Sequence, residues 1–250
     1  MKPVVFLDLE CFSNWFLVGI TSFDPMIEWD YQLYDGHGLD IEAISSILRQ
    51  HTVITFNGNN YDIPMLLLAL QGADCAALKQ ANDDIIVNRM RPWQFAKKYG
   101  TWMPEWLDHV DIMETTPGVR IGLKAYGCRG GAESIEDSPS DFTKPLDFAK
   151  VPEVIGYCRN DRRLTKLIFD AVRPSIEMRE KMGAKYGVDL RSKSDAQMAE
   201  AMVKAEWQRR MKDAIAANAP GLPAYETNWY GEPKVAIPRL PHGSTFSTIS

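Results

Sequence analysis

With 250 residues, 45% of them hydrophobic, the chain can bury a sizeable core, and most of it fits within one domain. A net charge of −5 argues against a gripper of long duplex nucleic acid, which needs clustered Lys and Arg. No apolar run is long enough to span a membrane and none has the form of a secretory signal, so no membrane partner is expected. Cys11, Cys75, Cys128 and Cys158 are widely spaced without a Cys-x-x-Cys pair, which suits a reducing cytoplasm.

The first apolar run, 4–7, leads into Asp8, Leu9 and Glu10, and the two-residue repeat of a strand sets both acids on one face. Neighbouring carboxylates raise each other's pKa, so the pairing suits a hard cation such as Mg²⁺ or Mn²⁺; a solvated strand end is the alternative. Strands over 15–21 and 27–34 flank a turn at 22–25, and helix spacing over 41–50 follows a possible cap at Asp40. A strand at 53–56 runs into the turn-rich Asn57 to Tyr61, and Pro64 opens a helix to residue 70. Asp62 then falls just before that helix, where it could simply cap exposed N–H groups.

From 79 to 118 the pattern is less regular. Trp93, Phe95, Tyr99, Trp102 and Trp106 are interleaved with Arg89, Arg91, Lys97 and Lys98. Such a mixture can hold a single strand by stacking and charge, but core packing is the expected role for most of these rings. A strand is expected over 110–113, with Asp108 and Asp111 in structural roles. The glycines of 118–131 are assigned to turns around Arg120, Lys124 and Arg129, and no Walker pattern is present. A loop over 137–145 precedes a helix over 146–157 or a broken version of it.

Tyr157 and Asp161 are four apart in a helical stretch continuing through Leu164, Leu167 and Ile168, and so share a face. A packed tyrosine beside a solvated aspartate is the plain alternative. Cys158 reads as a small helix residue, and Arg159, Arg162, Arg163 and Lys166 as a solvated basic face. After Pro174, separate helices are expected over 176–186 and 194–217, the latter capped by Ser192 or Ser194. Residues 220–250 carry five prolines and no periodicity, which reads as a tail or linker. Alternating strands and helices predict an α/β sheet layered with helices.

Taken together, Asp8-x-Glu10, Asn57-x-x-x-Tyr61-Asp62 and Tyr157-x-x-x-Asp161 resemble the three motifs of the DEDD superfamily of 3′ to 5′ exonucleases. The position five before Asp161 is Gly156 rather than histidine, so the likeness is to the DEDDy branch. The stretch DIMETTPGVRIGLKAY, with Leu123, Lys124 and Tyr126, is similar to the proofreading region of family B DNA polymerases, and VDLRSKSDAQMAEAMV resembles bacteriophage-encoded ones.

The resemblance implies a ribonuclease-H-like fold: a mixed five-stranded sheet flanked by helices with a helical C-terminal extension. The implied domains are an exonuclease domain over 1–175, a helical extension over 176–219 packed on it, and the tail. It implies two divalent cations, Mg²⁺ or Mn²⁺, held by Asp8, Glu10, Asp62 and Asp161, with Asp8 bridging and Tyr157 orienting the attacking water. Asn57, Tyr61, Lys124 and Phe12 become candidates for contact with the terminal nucleotides.

The implied substrate is single-stranded DNA or a frayed DNA 3′ end, with a DNA polymerase module or replication protein as a further partner, in a host cytoplasm if phage-encoded. The four carboxylates account for four of the five net negative charges, and bound cations would make that patch electropositive toward phosphate. A DEDDy exoribonuclease would share every catalytic residue. A non-catalytic nucleic-acid-binding or polymerase-docking module is the alternative from a different class.

Overall fold

A computed structural model describes residues 2–116 and 121–216; the expected tail and Arg120 lie outside them. The sheet is built on β1 (Val4–Cys11), whose alternation buries Val5, Leu7, Leu9 and Cys11 on one side and Phe6 on the other. β2 (Trp15–Phe23) and β3 (Met26–Tyr34) extend it as an antiparallel meander. β4 (Thr52–Thr55) joins the other edge of β1 in parallel, and β5 (His109–Asp111) pairs parallel with β4. The order β3-β2-β1-β4-β5 is therefore a mixed five-stranded sheet of ribonuclease-H-like form, with the acid-bearing strand at its centre.

Helices cover both faces. α1 (Ile41–Gln50) is capped by Asp40, whose carboxylate accepts from the Ala43 N–H, and it buries Ile44 and Leu48. α2 (Asp62–Leu70) is buried along nearly its whole length and packs with α3 (Cys75–Ile86) and α4 (Pro92–Tyr99) on the Val5 side. On the Phe6 side, α6 (Val151–Tyr186) presses Ile168, Phe169, Val172 and Ile176 onto Ile54 and Val110. Each such fully buried side chain contributes roughly 1.5–3 kcal/mol. A third cluster joins Phe12, Trp15 and Leu17 to Leu146, Val154 and Cys158.

Several expectations are corrected. The helix through Tyr157 does not stop at Pro174 but runs unbroken to Tyr186, through the domain boundary expected at 175. Proline removes one N–H and crowds the preceding turn, yet Val172 and Ile176 anchor the chain to the sheet on either side of it. Residues 146–147 are not helical, and a short 3-10 turn (Phe148–Lys150) leads into α6. Gly127 lies not in a turn but inside α5 (Leu123–Arg129), where an added Cβ would stand 2.9 Å from Leu164 Cδ2.

The last described helix, α7 (Asp195–Ala216), is opened by Ser194 and Gln197, which exchange side-chain and backbone hydrogen bonds as a capping box. The chain divides into compact units at Ala205 and Glu206. In the second, Glu206 is paired with Arg209 and Arg210 along the helix. Among the described residues no helix is long and apolar enough to cross a membrane.

Candidate active site

Asp8 and Glu10 occupy the end of central β1 on the side that faces α6, because the strand period places them with Phe6 rather than with Leu7 and Leu9. One carboxylate oxygen of each and Cys158 Sγ lie within 4.8 Å of one another. Asp62 is not outside its helix as expected; it forms the buried first turn of α2, with Tyr61 at the cap position. Tyr157 and Asp161 arrive from one face of α6.

These groups act on one another electrostatically. Burial holds Asp8 up at about 7, with the charge of Asp161 adding to the rise and Arg162 opposing it. Burial raises Glu10 well above its ordinary value, helped by Asp8, Asp161 and Asp62. Asp62 is raised by burial and then by Asp8 and Asp111. Asp161 is raised by burial to about 6, against the pull of a hydrogen bond from Tyr157 and the charge of Lys124. Burial and the same carboxylates push the Tyr157 phenol up, so it stays protonated and donates.

Burial disfavours the charged forms of these four carboxylates, which come from three distant segments. Asp161 Oδ1 is buried without a hydrogen-bond partner, an arrangement costly for a native protein unless an outside group supplies the contact. An all-oxygen, anionic donor set suits a hard divalent cation. Asp8 and Glu10 offer such oxygens within 4.8 Å of each other and of the Cys158 thiol, whose pKa burial raises well above normal, while Asp62 and Asp161 act on Glu10 through their charge.

Lys124, on α5, is brought to the site: its Nζ lies 4.8 Å from the centre of the Tyr157 ring. Lys124 also pairs with Asp137 at 3.4 Å, and the remaining candidates are likewise engaged by the protein itself. Asn57 adopts a left-handed φ of 68°, and its side-chain oxygen accepts from Asn60 Nδ2 at 2.6 Å. The Tyr61 hydroxyl donates to Asn82 Oδ1 at 2.7 Å. Phe12 is 0% exposed and stacked on Phe142 at 4.8 Å, so it offers no face to a base unless Phe142 moves.

Asp111, expected to be structural, organises the turn before Asp62 by accepting from the N–H groups of Asn57 and Asn59 at 2.9 and 3.0 Å. Asp108 also holds the framework, accepting from Thr52 and pairing with Arg191 at 2.8 Å.

Arg162 corrects the reading of a solvated basic face, being 0% exposed behind the acids. It donates to Thr21 Oγ1 at 2.7 Å, Asp30 Oδ1 at 2.8 Å and Cys158 Sγ at 3.2 Å. Arg159 shares Asp30 and pairs with Glu28, while Arg163 stays largely exposed. Gly19 makes room for the guanidinium, since a Cβ there would lie 1.5 Å from Arg162 Nη1. A glycine within an otherwise apolar strand was the available signal for this close approach. Comparisons of the chain with family models, curated proteins and solved structures gave no match.

Proposed function

We propose that the chain is a metal-dependent 3′ to 5′ exonuclease that releases 5′-mononucleotides from single-stranded or frayed DNA ends. The observation that carries this reading is the convergence of Asp8, Glu10, Asp62 and Asp161 with Tyr157, where one buried carboxylate oxygen has no partner in the protein. The polarity and the preference for DNA rest on the motif resemblance alone.

Divalent cations bound by these carboxylates supply Lewis acidity and a nucleophilic water at neutral pH. The chain's own contribution is positional. Asp8 and Glu10 are fixed by the pairing of β1 with β2, opposite Gly19 and Leu17, and Asp62 by the buried first turn of α2. Tyr157 stays protonated, so it donates a hydrogen bond and orients an oxygen rather than abstracting a proton. Lys124 brings positive charge to the face of that ring, where it favours an approaching phosphate.

The test uses matched DNA and RNA oligonucleotides labelled at the 5′ end, with Mg²⁺, Mn²⁺ or EDTA. A metal-dependent ladder shortening DNA from its 3′ end is expected. Asp8→Ala and Asp161→Asn should abolish it, and Tyr157→Phe should slow it by about tenfold, the scale of one lost hydrogen bond. Equal degradation of RNA would move the reading to a broader exonuclease. Absence of hydrolysis with either metal would leave a binding or docking module.

A further inference from the structure

We propose that α4 and the loops flanking it form a binding face for single-stranded nucleic acid, separate from the carboxylate site. Between Asp84 and Glu105 the sequence contains no acid but carries Arg89, Arg91, Lys97 and Lys98, in a chain whose net charge is −5. Lys98 is taken up by Asp84. Arg89, Arg91 and Lys97 are exposed and enter no ion pair among the described residues. Trp93 is 58% exposed and Trp102 64%, with Met103 exposed beside the latter.

A single exposed tryptophan needs no explanation. Two of them, within an acid-free segment bearing unpaired cations, match the chemistry that holds a single strand: indoles stack on bases while cations meet phosphates. Trp93 and Lys97 are four apart on α4 and share one of its faces, with Arg89 and Arg91 just before the helix. An acidic protein surface would use the cations but leave the indoles without a role.

The face is held in place rather than floppy. Asp84, buried on α3, accepts from Asn88 Nδ2 at 3.0 Å and from the Tyr99 hydroxyl at 2.6 Å, and its carbonyl accepts from the Met90 N–H at 2.9 Å. This ties both ends of the 87–91 loop to α3 and α4. Arg89 within it is held at a φ of 53°, a conformation that non-glycine residues rarely adopt without support. The same α3 supplies Asn82 to the hydroxyl of Tyr61, next to Asp62, so the face and the acid site share a scaffold. The inference deepens the exonuclease reading by locating the strand behind the 3′ end, and it rests on that reading for the identity of the strand as substrate.

The test is anisotropy of a fluorescein-labelled oligothymidylate of about 20 nucleotides with the full chain in EDTA, across a series of salt concentrations. Trp93→Ala should weaken binding by about tenfold, with Trp93→Phe largely retaining it. Arg89→Gln combined with Arg91→Gln should flatten the log-log salt dependence by roughly 0.7 per cation removed. Hydrolysis of a dinucleotide, too short to span both regions, should be unchanged in every variant.

Wild-type protein that does not bind the oligonucleotide, or variants with unchanged affinity and salt dependence, overturns the proposal. Loss of binding in the variants of a chain that hydrolyses nothing would uphold the face while removing the catalytic reading. Normal hydrolysis with unaltered binding would do the reverse.

Discussion

Arg162 follows Asp161 directly, yet the two side chains do different work. Asp161 keeps one carboxylate oxygen buried without a hydrogen-bond partner, whereas Arg162 is sunk between α6, β2 and β3 with its donors met by Thr21, Asp30 and Cys158. Its charge opposes the rise in the pKa of Asp8 and Glu10, so it helps the folded chain tolerate a carboxylate cluster. Gly19→Ala should therefore be costly, because the guanidinium must leave a site where its partners stay buried. A loss of about 3 kcal/mol in urea unfolding is expected; a loss within about 0.5 kcal/mol, the range of ordinary surface changes, would show that the arginine relocates easily. At this scale the strand period gave the shared face of Asp8 and Glu10 and the helix spacing that of Tyr157 and Asp161, while their grouping into one site came from the motif resemblance. The burial of Arg162 was not, because basic residues on a helix are usually solvated and only the neighbouring strands decide otherwise.

Local pattern and tertiary packing compete at the scale of elements. β1 was readable because its apolar run and its period of two fix which side each acid takes. α1 was readable too, from its helix spacing and its Asp40 cap. α3, α4 and α5 were not assigned, since α3 begins at an Asp74 cap amid weak periodicity, α4 is short, and α5 carries an internal glycine packed against Leu164. The break expected at Pro174 failed because the sheet holds α6 on both sides of the proline. The turn between β4 and α2 depends on Asp111 reaching from β5 to the N–H groups of Asn57 and Asn59. Asp111→Ala strips those donors of their acceptor and should cost about 2–3 kcal/mol. Because this turn positions Asn57, Tyr61 and Asp62, KM for an oligonucleotide should rise along with the fall in kcat. An unchanged KM would mean that the turn keeps its shape without the carboxylate.

At the scale of the whole molecule, desolvation of the carboxylate cluster makes metal-free stability depend on pH. The folded chain holds a proton on Asp8 up to about 7, where an unfolded aspartate, near 3.8, has already released its own. More protons are bound folded than unfolded between those values, so this contribution to stability is lost as pH rises through them. His109, buried and held down at about 3, acts in the opposite sense below its ordinary 6.5, so the clean comparison is between variants. In EDTA at pH 8, Asp8→Asn should melt above the wild type, by about 2–4 °C for each kcal/mol of relieved charge burial. The gap should close toward pH 5, and an equal Tm at both pH values would show that the acids are solvated. The proposed function makes this cluster a cation site serving hydrolysis. Its most direct test is a Mn²⁺ titration followed by the electron paramagnetic resonance of the free ion. Saturable uptake by the wild type, lost in Asp8→Asn with the far-ultraviolet circular dichroism unchanged, is the predicted result; no uptake, or equal uptake by the variant, would contradict it.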